Sequence, residues 1–305
     1  MTSPSLPLAF SLLAIAIVSV WLPSLRVQQR FAIPPWIIFF ALAGTTAMFA
    51  DYLTISGALA LLITALCIHF IDHAPSTIGR ALATALAIPL CLLIAAHKIP
   101  GFANPILLNK VQFTPDAIPY TLYANFDKAS IGLLLLALVC PVARTRTDWR
   151  MLMRNTPWIV AATVAIVILM SLAIGYIRFD PKLPSATWLF AIVNLLFVCV
   201  AEETFFRGFL QARLTTLLTK YNSRAAPLAA LTICAVLFGL AHGAGGLAYV
   251  FLATIAGIGY GYAYLRTQRT EASILTHFVV NLVHFVGFTY PMLAHQQQTS
   301  PALSF

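Results

Sequence analysis

The amino-acid sequence predicts an all-α, polytopic membrane protein, a bundle of about ten transmembrane helices. Hydrophobic residues make up 60% of its 305 residues and charged residues 9%, whereas soluble domains are roughly 45–50% apolar and about 25% charged. The apolar residues also gather in runs close to the roughly 20 residues that a helix needs to cross a bilayer. The net charge of +9 lies in short segments between these runs, which is typical of membrane topology signals and argues against a nucleic-acid partner.

Ten apolar runs are the candidate helices, and we expect the first to be a retained span. This run, Pro7 to Leu22, has no basic residue before it and no small-residue cleavage pattern after it, unlike a signal peptide. Pro34 and Pro35 fall in the first turn of the second run, where a helix tolerates proline. The other runs lie at about 31–50, 53–71, 81–97, 129–143, 156–177, 185–210, 227–241, 246–265 and 271–289.

Two long connections divide the chain. Residues 98–128 carry four prolines and several aromatic residues, and we expect an ordered external loop resting on the membrane interface. Residues 144–155 form an Arg-rich cytoplasmic joint. This joint separates N-terminal helices without a recognised motif, residues 1–143, from a C-terminal core, residues 156–290. Residues 291–305 are short and polar, and we expect a flexible tail.

The basic residues predict the orientation. Placing the N-terminus outside puts 13 of the 18 basic residues in the cytoplasm, namely Arg26, Arg30, Arg80, Arg144, Arg146, Arg150, Arg154, Arg207, Arg213, Lys220, Arg224, Arg266 and Arg269. The external side then carries Lys98, Lys110, Lys128, Arg178 and Lys182. Because cytoplasmic loops hold the excess of Lys and Arg, this split favours the N-out orientation.

Neither the cysteines nor a glycine-rich stretch indicates a cofactor. All five cysteines lie inside apolar runs without a CxxC pair, so we expect them to pack as small hydrophobic residues. Ala253, Gly257 and Gly261 recur every four residues within one run. This spacing is typical of a small-residue face on which two helices approach closely, and we expect no nucleotide there.

The most informative stretch is Glu202-Glu203-Thr204-Phe205-Phe206-Arg207, because it holds two of the three glutamates of the chain. It follows an uncharged run, where an ionised carboxylate costs several kcal/mol unless it is paired. Glu203 and Arg207 are i,i+4 neighbours on a helix and can pair. Glu202 lies about 100° further round the helix and faces something else.

Two later spans carry polar residues that fit the same site. His242 ends the eighth run, and His277 and Asn281 lie one turn apart on the last run, where both can donate hydrogen bonds to one point. We interpret His69, His97 and His284 instead as packing residues with satisfied hydrogen bonds. The sequence therefore predicts one constellation made of Glu202, His242, His277 and Asn281.

These motifs resemble those of a known family. EETFFR at 202–207 fits EExxxR, FGLAH at 238–242 fits FxxxH, and HFVVN at 277–281 fits HxxxN, in this order on successive spans. The set is similar to the CPBP family, the CAAX-protease and bacteriocin-processing (Abi) family of glutamate-dependent intramembrane proteases. The resemblance covers roughly residues 156–290.

The resemblance implies a role for each motif residue. Glu202 would be the general base that activates a water, which His242 would orient, while His277 and Asn281 would form the oxyanion hole. Glu203 and Arg207 would be structural or substrate-orienting. We expect a water-filled pocket, open to the cytoplasm and enclosed by the last spans. Its candidate apolar wall consists of Phe205, Phe206 and Phe238.

The predicted function is an intramembrane endopeptidase without a cofactor, acting on a membrane-anchored protein or peptide in the bilayer of a bacterial inner membrane. Zinc held by two histidines and a glutamate is the competing chemistry, although no HExxH is present and Asn281 is a poor zinc ligand. A proton-coupled transporter, using Glu202, His242 and His277 as a relay, is the alternative from another class. A catalytically silent scaffold is the third interpretation.

Overall fold

The computed structural model describes residues 5–28 and 31–299; Arg30 and residues 300–305, the end of the predicted tail, lie outside this part. Eleven helices are present in the described residues. They are α1 (Ser5–Ser19), α2 (Pro35–Phe49), α3 (Ile55–His73), α4 (Thr77–Ala95), α5 (Phe126–Leu138), α6 (Arg146–Ala173), α7 (Thr187–Thr219), α8 (Ala226–Ala241), α9 (Gly246–Thr267), α10 (Thr270–Gly287) and α11 (Ala294–Thr299).

The predicted all-α membrane bundle of about ten helices is confirmed. Five helices, α3, α4, α6, α7 and α9, are long and apolar enough to span a bilayer, and α1, α2 and α8 are shorter apolar helices. The sequence did not predict two small sheets. In these, β1 (Leu25–Gln28) pairs with β2 (Phe31–Ile33), and β3 (Ile106–Val111) pairs with β4 (Tyr120–Tyr123).

Side chains at the start of α3, α4 and α6 fix where these helices begin. Thr54 and Ser76 accept hydrogen bonds from the backbone N–H three residues later. Thr145 and Asp148 form a capping box at the start of α6, so the first backbone N–H groups are satisfied. The predicted joint at 144–155 is therefore mostly helix, and only its first residues precede α6.

The connection at 98–128 also differs from a simple loop. It contains β3, β4 and the first turn of α5, which begins at Phe126. Lys128 is thus a helical residue, and its side chain is 19% exposed. Arg207 on α7 is fully buried. Counting these two residues as loop charges in the topology argument was wrong, but removing one from each side leaves the predicted orientation unchanged.

Helix α7 carries two π-helical segments on either side of Val200–Glu203. They span Asn194–Cys199 and Thr204–Gln211. In a π-helix the backbone hydrogen bonds run from i to i+5, and such segments are rare and frequent at functional sites. The side-chain spacing of 3.6 residues per turn, on which the sequence argument relied, therefore does not hold beyond Thr204.

The chain forms two compact units, each made of several segments of the chain. The first contains residues 1–105, 123–142 and 196–205, and the second contains residues 106–122, 143–195 and 206–305. The glutamate pair of α7 therefore clusters with the N-terminal helices. In the first unit, Phe10 on α1 packs edge-to-face on Phe126 and lies 6.0 Å from the ring of Phe197.

In the second unit, small residues let α8 and α9 approach closely, as the four-residue spacing predicted. A Cβ atom at Gly257 would lie 3.2 Å from the Cα atom of Ala235. Beyond α10, Met292 and Leu293 are buried, and Leu293 forms a bridge with Ala117. Within the described residues, ordered packing thus continues past residue 290.

Candidate functional site

The glutamate pair lies in the middle of α7, in the first unit, and the two carboxylates have different surroundings. Glu203 is fully buried, whereas the side chain of Glu202 keeps 13% of its surface exposed. Oε1 of Glu202 accepts a hydrogen bond of 2.6 Å from Nζ of Lys128 on α5. Because removing one partner of a buried ion pair leaves an uncompensated charge, Lys128 stabilises the ionised Glu202 in this apolar setting.

A network of contacts around Asp127 fixes the backbone at Lys128. Oδ1 of Asp127 accepts from the backbone N–H of Lys128 at 2.7 Å, and Oδ2 of the same buried carboxylate contacts Nδ1 of His97 at 2.6 Å. Asn104 donates to Asp127 and accepts from the backbone N–H of Phe126. These bonds satisfy the first N–H groups of α5 and fix where the helix starts.

Gly132, one turn after Lys128, lets α5 lie directly against α7. A Cβ atom at this position would come within 2.7 Å of the Cα atom of Ala201, a distance that backbone atoms do not tolerate. Ala201 precedes Glu202, and Lys128 and Gly132 share one face of α5 because they are four residues apart. The close approach at Gly132 therefore brings the ammonium group of Lys128 within reach of Glu202.

Arg207 lies in the second unit and is fully buried there. Its Nη2 donates to the carbonyl oxygen of Gly257 at 3.0 Å. The guanidinium carbon lies 4.5 Å from the ring centre of Phe238 and 5.3 Å from that of Tyr260, within the range of cation–π attraction. One turn further, Gln211 donates to the carbonyl oxygen of Gly261. These contacts tie α7 to the small-residue face of α9.

His242, His277 and Asn281 lie around one cavity of about 70 Å³ in the second unit. A cavity of this size can hold at least one water. It lies between α6, α8, α9 and α10 and is further lined by Val167, Ser171, Tyr176, Phe238, Tyr249, Leu252, Ala253, Ala256, Tyr260, Val280 and His284. The structure therefore brings together three predicted site residues, His242 directly after α8 and His277 and Asn281 on α10.

Neighbouring groups orient the polar side chains of this cavity. Nδ1 of His242 lies 2.7 Å from the carbonyl oxygen of Phe238, and since a carbonyl can only accept, Nδ1 carries the proton and Nε2 is the acceptor of the neutral ring. The ring of His277 stacks on Tyr260, with the centres 4.5 Å apart. Asn281 donates a hydrogen bond to Asn194 on α7, and this bond fixes the orientation of the Asn281 side-chain amide.

The three candidate wall residues have different positions. Phe238 lines the cavity and packs edge-to-face against Phe206, with ring centres 5.2 Å apart. Phe206 is buried but is not among the lining residues. Phe205 is buried in the first unit. Within the second unit, Phe238 is thus the phenylalanine that forms part of the wall.

Sequence reasoning missed some residues at these sites. No local sequence pattern indicated a role for Lys128, because the glutamate that it contacts lies 74 residues further along the chain. His284 did give a signal, since His277, Asn281 and His284 follow the i, i+4, i+7 spacing of one helix face. His284 lines the cavity and contacts the carbonyl oxygen of Thr289 at 3.0 Å. The packing interpretation of His97 was wrong, because its ring is 45% exposed and contacts Asp127.

Outside the helices, ionic contacts order the connection between α6 and α7. Arg178 donates two hydrogen bonds to Asp116, of 2.6 and 2.9 Å, and this contact lowers the pKa of the Asp116 carboxyl. Thr114 donates to Asp180 at 2.6 Å. That hydrogen bond, aided by Lys182, holds the pKa of Asp180 below its ordinary value. The external position predicted for this region stays a prediction.

Metal binding was the competing chemistry for the glutamate and histidines. Among residues 5–28 and 31–299, no group of three or more His, Cys, Asp or Glu side chains has the arrangement of a metal site.

Taken together, the apolar helices and the ionisable side chains inside them define an integral membrane protein. A family model described as Type II CAAX prenyl endopeptidase Rce1-like matches residues 184–283, about a third of the chain. This segment is therefore similar to the CPBP/CAAX protease family, and the match supports the resemblance that the motifs indicated. No curated protein and no solved structure matches the chain.

Proposed function

We propose that the protein is an intramembrane endopeptidase that hydrolyses a peptide bond in a membrane-anchored protein or peptide. The observation that carries this proposal is the family match over residues 184–283, because all residues of the three motifs fall inside it. They are Glu202, Glu203, Arg207, Phe238, His242, His277 and Asn281. A CAAX-type substrate, with a lipid-modified C-terminal segment, is the class that this family description favours.

In the proposed reaction Glu202 takes a proton from a water molecule, and the water oxygen attacks the carbonyl carbon of the scissile bond. Negative charge develops on the carbonyl oxygen, where His277 and Asn281 donate hydrogen bonds; one such donor contributes about 3–4 kcal/mol in other enzymes. The C–N bond then breaks, and the proton held by Glu202 passes to the departing amine. The products are a carboxylic acid and an amine.

Two features of the cavity support these roles. Nε2 of His242 is the acceptor nitrogen of its ring, since Nδ1 donates to Phe238, and an acceptor there can hold a water by one of its protons. His277 is 4% exposed and is held in a fixed plane by Tyr260. Donors that are already oriented need no reorganisation when charge develops.

The test is cleavage by the full-length protein reconstituted in liposomes, using a fluorescence-quenched peptide that ends in a farnesylated Cys-aliphatic-aliphatic-X sequence. We expect wild type to cleave it and Glu202→Gln to lose at least 100-fold in kcat/KM, because the amide cannot act as a base. The same peptide without the farnesyl group measures how far the substrate must be membrane-anchored.

Four outcomes would contradict the proposal. Glu202→Gln with near-wild-type turnover would remove Glu202 as the base. Activity that is lost after dialysis against a chelator and restored by zinc alone would favour metal chemistry. Proton-coupled uptake into the liposomes without cleavage would favour the transporter, and neither cleavage nor uptake would favour the scaffold. A location in the bacterial inner membrane is part of the proposal and is checked by membrane fractionation.

A further inference from the structure

The family match begins at residue 184, yet the carboxylate assigned as the base contacts a residue far outside the matched segment. We propose that Lys128 is a positioning residue for the reaction: its ammonium group holds Glu202 ionised and fixes the direction of its carboxylate. This inference rests on the proposed function, and it assigns part of the active site to the N-terminal half of the chain.

The geometry of the pair is the first argument. Nζ of Lys128 lies 2.6 Å from Oε1 of Glu202, a distance typical of a strong, charge-assisted hydrogen bond. The side chains are 19% and 13% exposed, so water screens the interaction less than it would at the surface. Bulk water cannot replace the ammonium group efficiently as a partner of the carboxylate here.

The second argument is that Lys128 is itself held in place. Its backbone N–H donates to Asp127, whose carboxylate is fully buried and is fixed by His97 and Asn104. Gly132 brings this face of α5 against the backbone of Ala201. A lysine that only carried a surface charge would not need α5 to be anchored both at Asp127 and at Gly132. The ammonium group therefore occupies a defined position relative to Glu202.

The titratable groups around the pair determine how it responds to pH. Asp127 and Glu203 are the other carboxylates close to it in the described part of the first unit, and His97 is the imidazole on the Asp127 side. Lys128 contacts Glu202 directly, through the hydrogen bond from Nζ to Oε1. A nearby ammonium favours the charged form of a carboxylate, so removing it lets Glu202 take up a proton at a higher pH, and a protonated carboxyl cannot act as the base.

The experiment measures kcat/KM against pH for wild type, Lys128→Met, Lys128→Arg and Lys98→Met, with the farnesylated peptide in liposomes. We expect Lys128→Met to lose at least tenfold at neutral pH and to recover as the pH rises, with the acidic limb of its profile about 1–3 units higher than in wild type. Lys128→Arg keeps the charge, so its acidic limb should stay close to that of wild type. Lys98 is an exposed lysine of the same unit, and Lys98→Met should behave like wild type.

A second measurement tests the pair without depending on cleavage. The melting temperatures of Lys128→Met, Glu202→Gln and the double variant form a double-mutant cycle. We expect each single variant to melt lower than wild type and the double variant to melt no lower than the worse single variant, because no buried charge is then left alone.

The outcomes separate this inference from the proposed function. A Lys128→Met profile that keeps the wild-type acidic limb, or an activity that increases, would overturn the positioning role while leaving the protease standing. Additive losses in the melting temperatures would overturn it as well. An active Glu202→Gln variant, or wild type that cleaves neither peptide, would overturn the proposed function and the role of Lys128 with it.

Discussion

Two charged side chains of α7, Glu202 and Arg207, lie five residues apart, and their surroundings differ. Glu202 keeps 13% of its side-chain surface exposed and pairs with an ammonium group from a distant helix. Arg207 is fully buried, donates to the carbonyl of Gly257 and lies between aromatic rings. A carboxylate with some exposure can exchange protons with water, whereas a fully enclosed guanidinium cannot. The contrast supports a chemical role for Glu202 and a structural role for Arg207.

The largest effect on stability is expected at Arg207. Arg207→Lys keeps the charge but loses the planar group that contacts Phe238 and Tyr260 and donates to Gly257. Because a buried cation–π contact and a hydrogen bond from a charged donor each contribute about 2 kcal/mol, we expect a loss of about 2–4 kcal/mol. Thermal melting of the reconstituted protein measures it. Arg224→Lys is the matched control, since Arg224 is exposed, and equal melting of the two variants would contradict the structural role.

A smaller effect is expected from the glycines that let helices approach in each unit. Gly132→Ala would place a Cβ atom 2.7 Å from the Cα atom of Ala201, and Gly257→Ala would place one 3.2 Å from that of Ala235. At Gly287 nothing lies within 4 Å. We therefore expect losses of about 1–3 kcal/mol at Gly132, less at Gly257 and close to none at Gly287.

The order of the stability losses of these three variants tests how closely the helices approach at each glycine. Gly132→Ala should also lower cleavage activity, because it displaces α5 and with it Lys128. Gly257→Ala displaces the carbonyl that accepts from Arg207 and should mainly lower the melting temperature. If Gly132→Ala melts like Gly287→Ala, then α5 does not lie against α7 as closely as the structure indicates.

Features that depend on local sequence patterns could be predicted from the sequence. Apolar runs near the bilayer length and the four-residue spacing of Gly257 and Gly261 are local patterns, so the helices and their close contact followed from the sequence. His277 and Asn281 share a face because they are one helical turn apart, and the structure places both on one cavity. Local periodicity was sufficient for these features.

Lys128 could not be predicted in this way. Its contact with Glu202 joins residues 74 positions apart, and no spacing rule relates them. The π-helical turn that begins at Thr204 was also beyond prediction, because it depends on how α7 packs and no residue type specifies it. A lysine at the start of an apolar run was therefore interpreted as a boundary charge, although in the structure it compensates a buried carboxylate.

The smallest effect concerns a carboxylate outside the spans, Asp180, which contrasts with Glu202 in being 27% exposed. The hydrogen bond from Thr114, aided by Lys182, holds its pKa below the ordinary value of 3.8. A lowered carboxyl pKa means that the folded state is stabilised above the ordinary pKa and that this stabilisation disappears as the pH falls through the folded value. We therefore expect wild type to melt above Asp180→Asn at neutral pH, and the gap to close below about pH 4. Thr114→Val removes the main cause of the lowered pKa. In the Thr114→Val background, Asp180→Asn should therefore lower the melting temperature at neutral pH by less than it does in wild type. Melting curves between pH 3 and 7 decide the point, and a gap that stays constant or widens in acid would show that Asp180 contributes through packing and not through its charge.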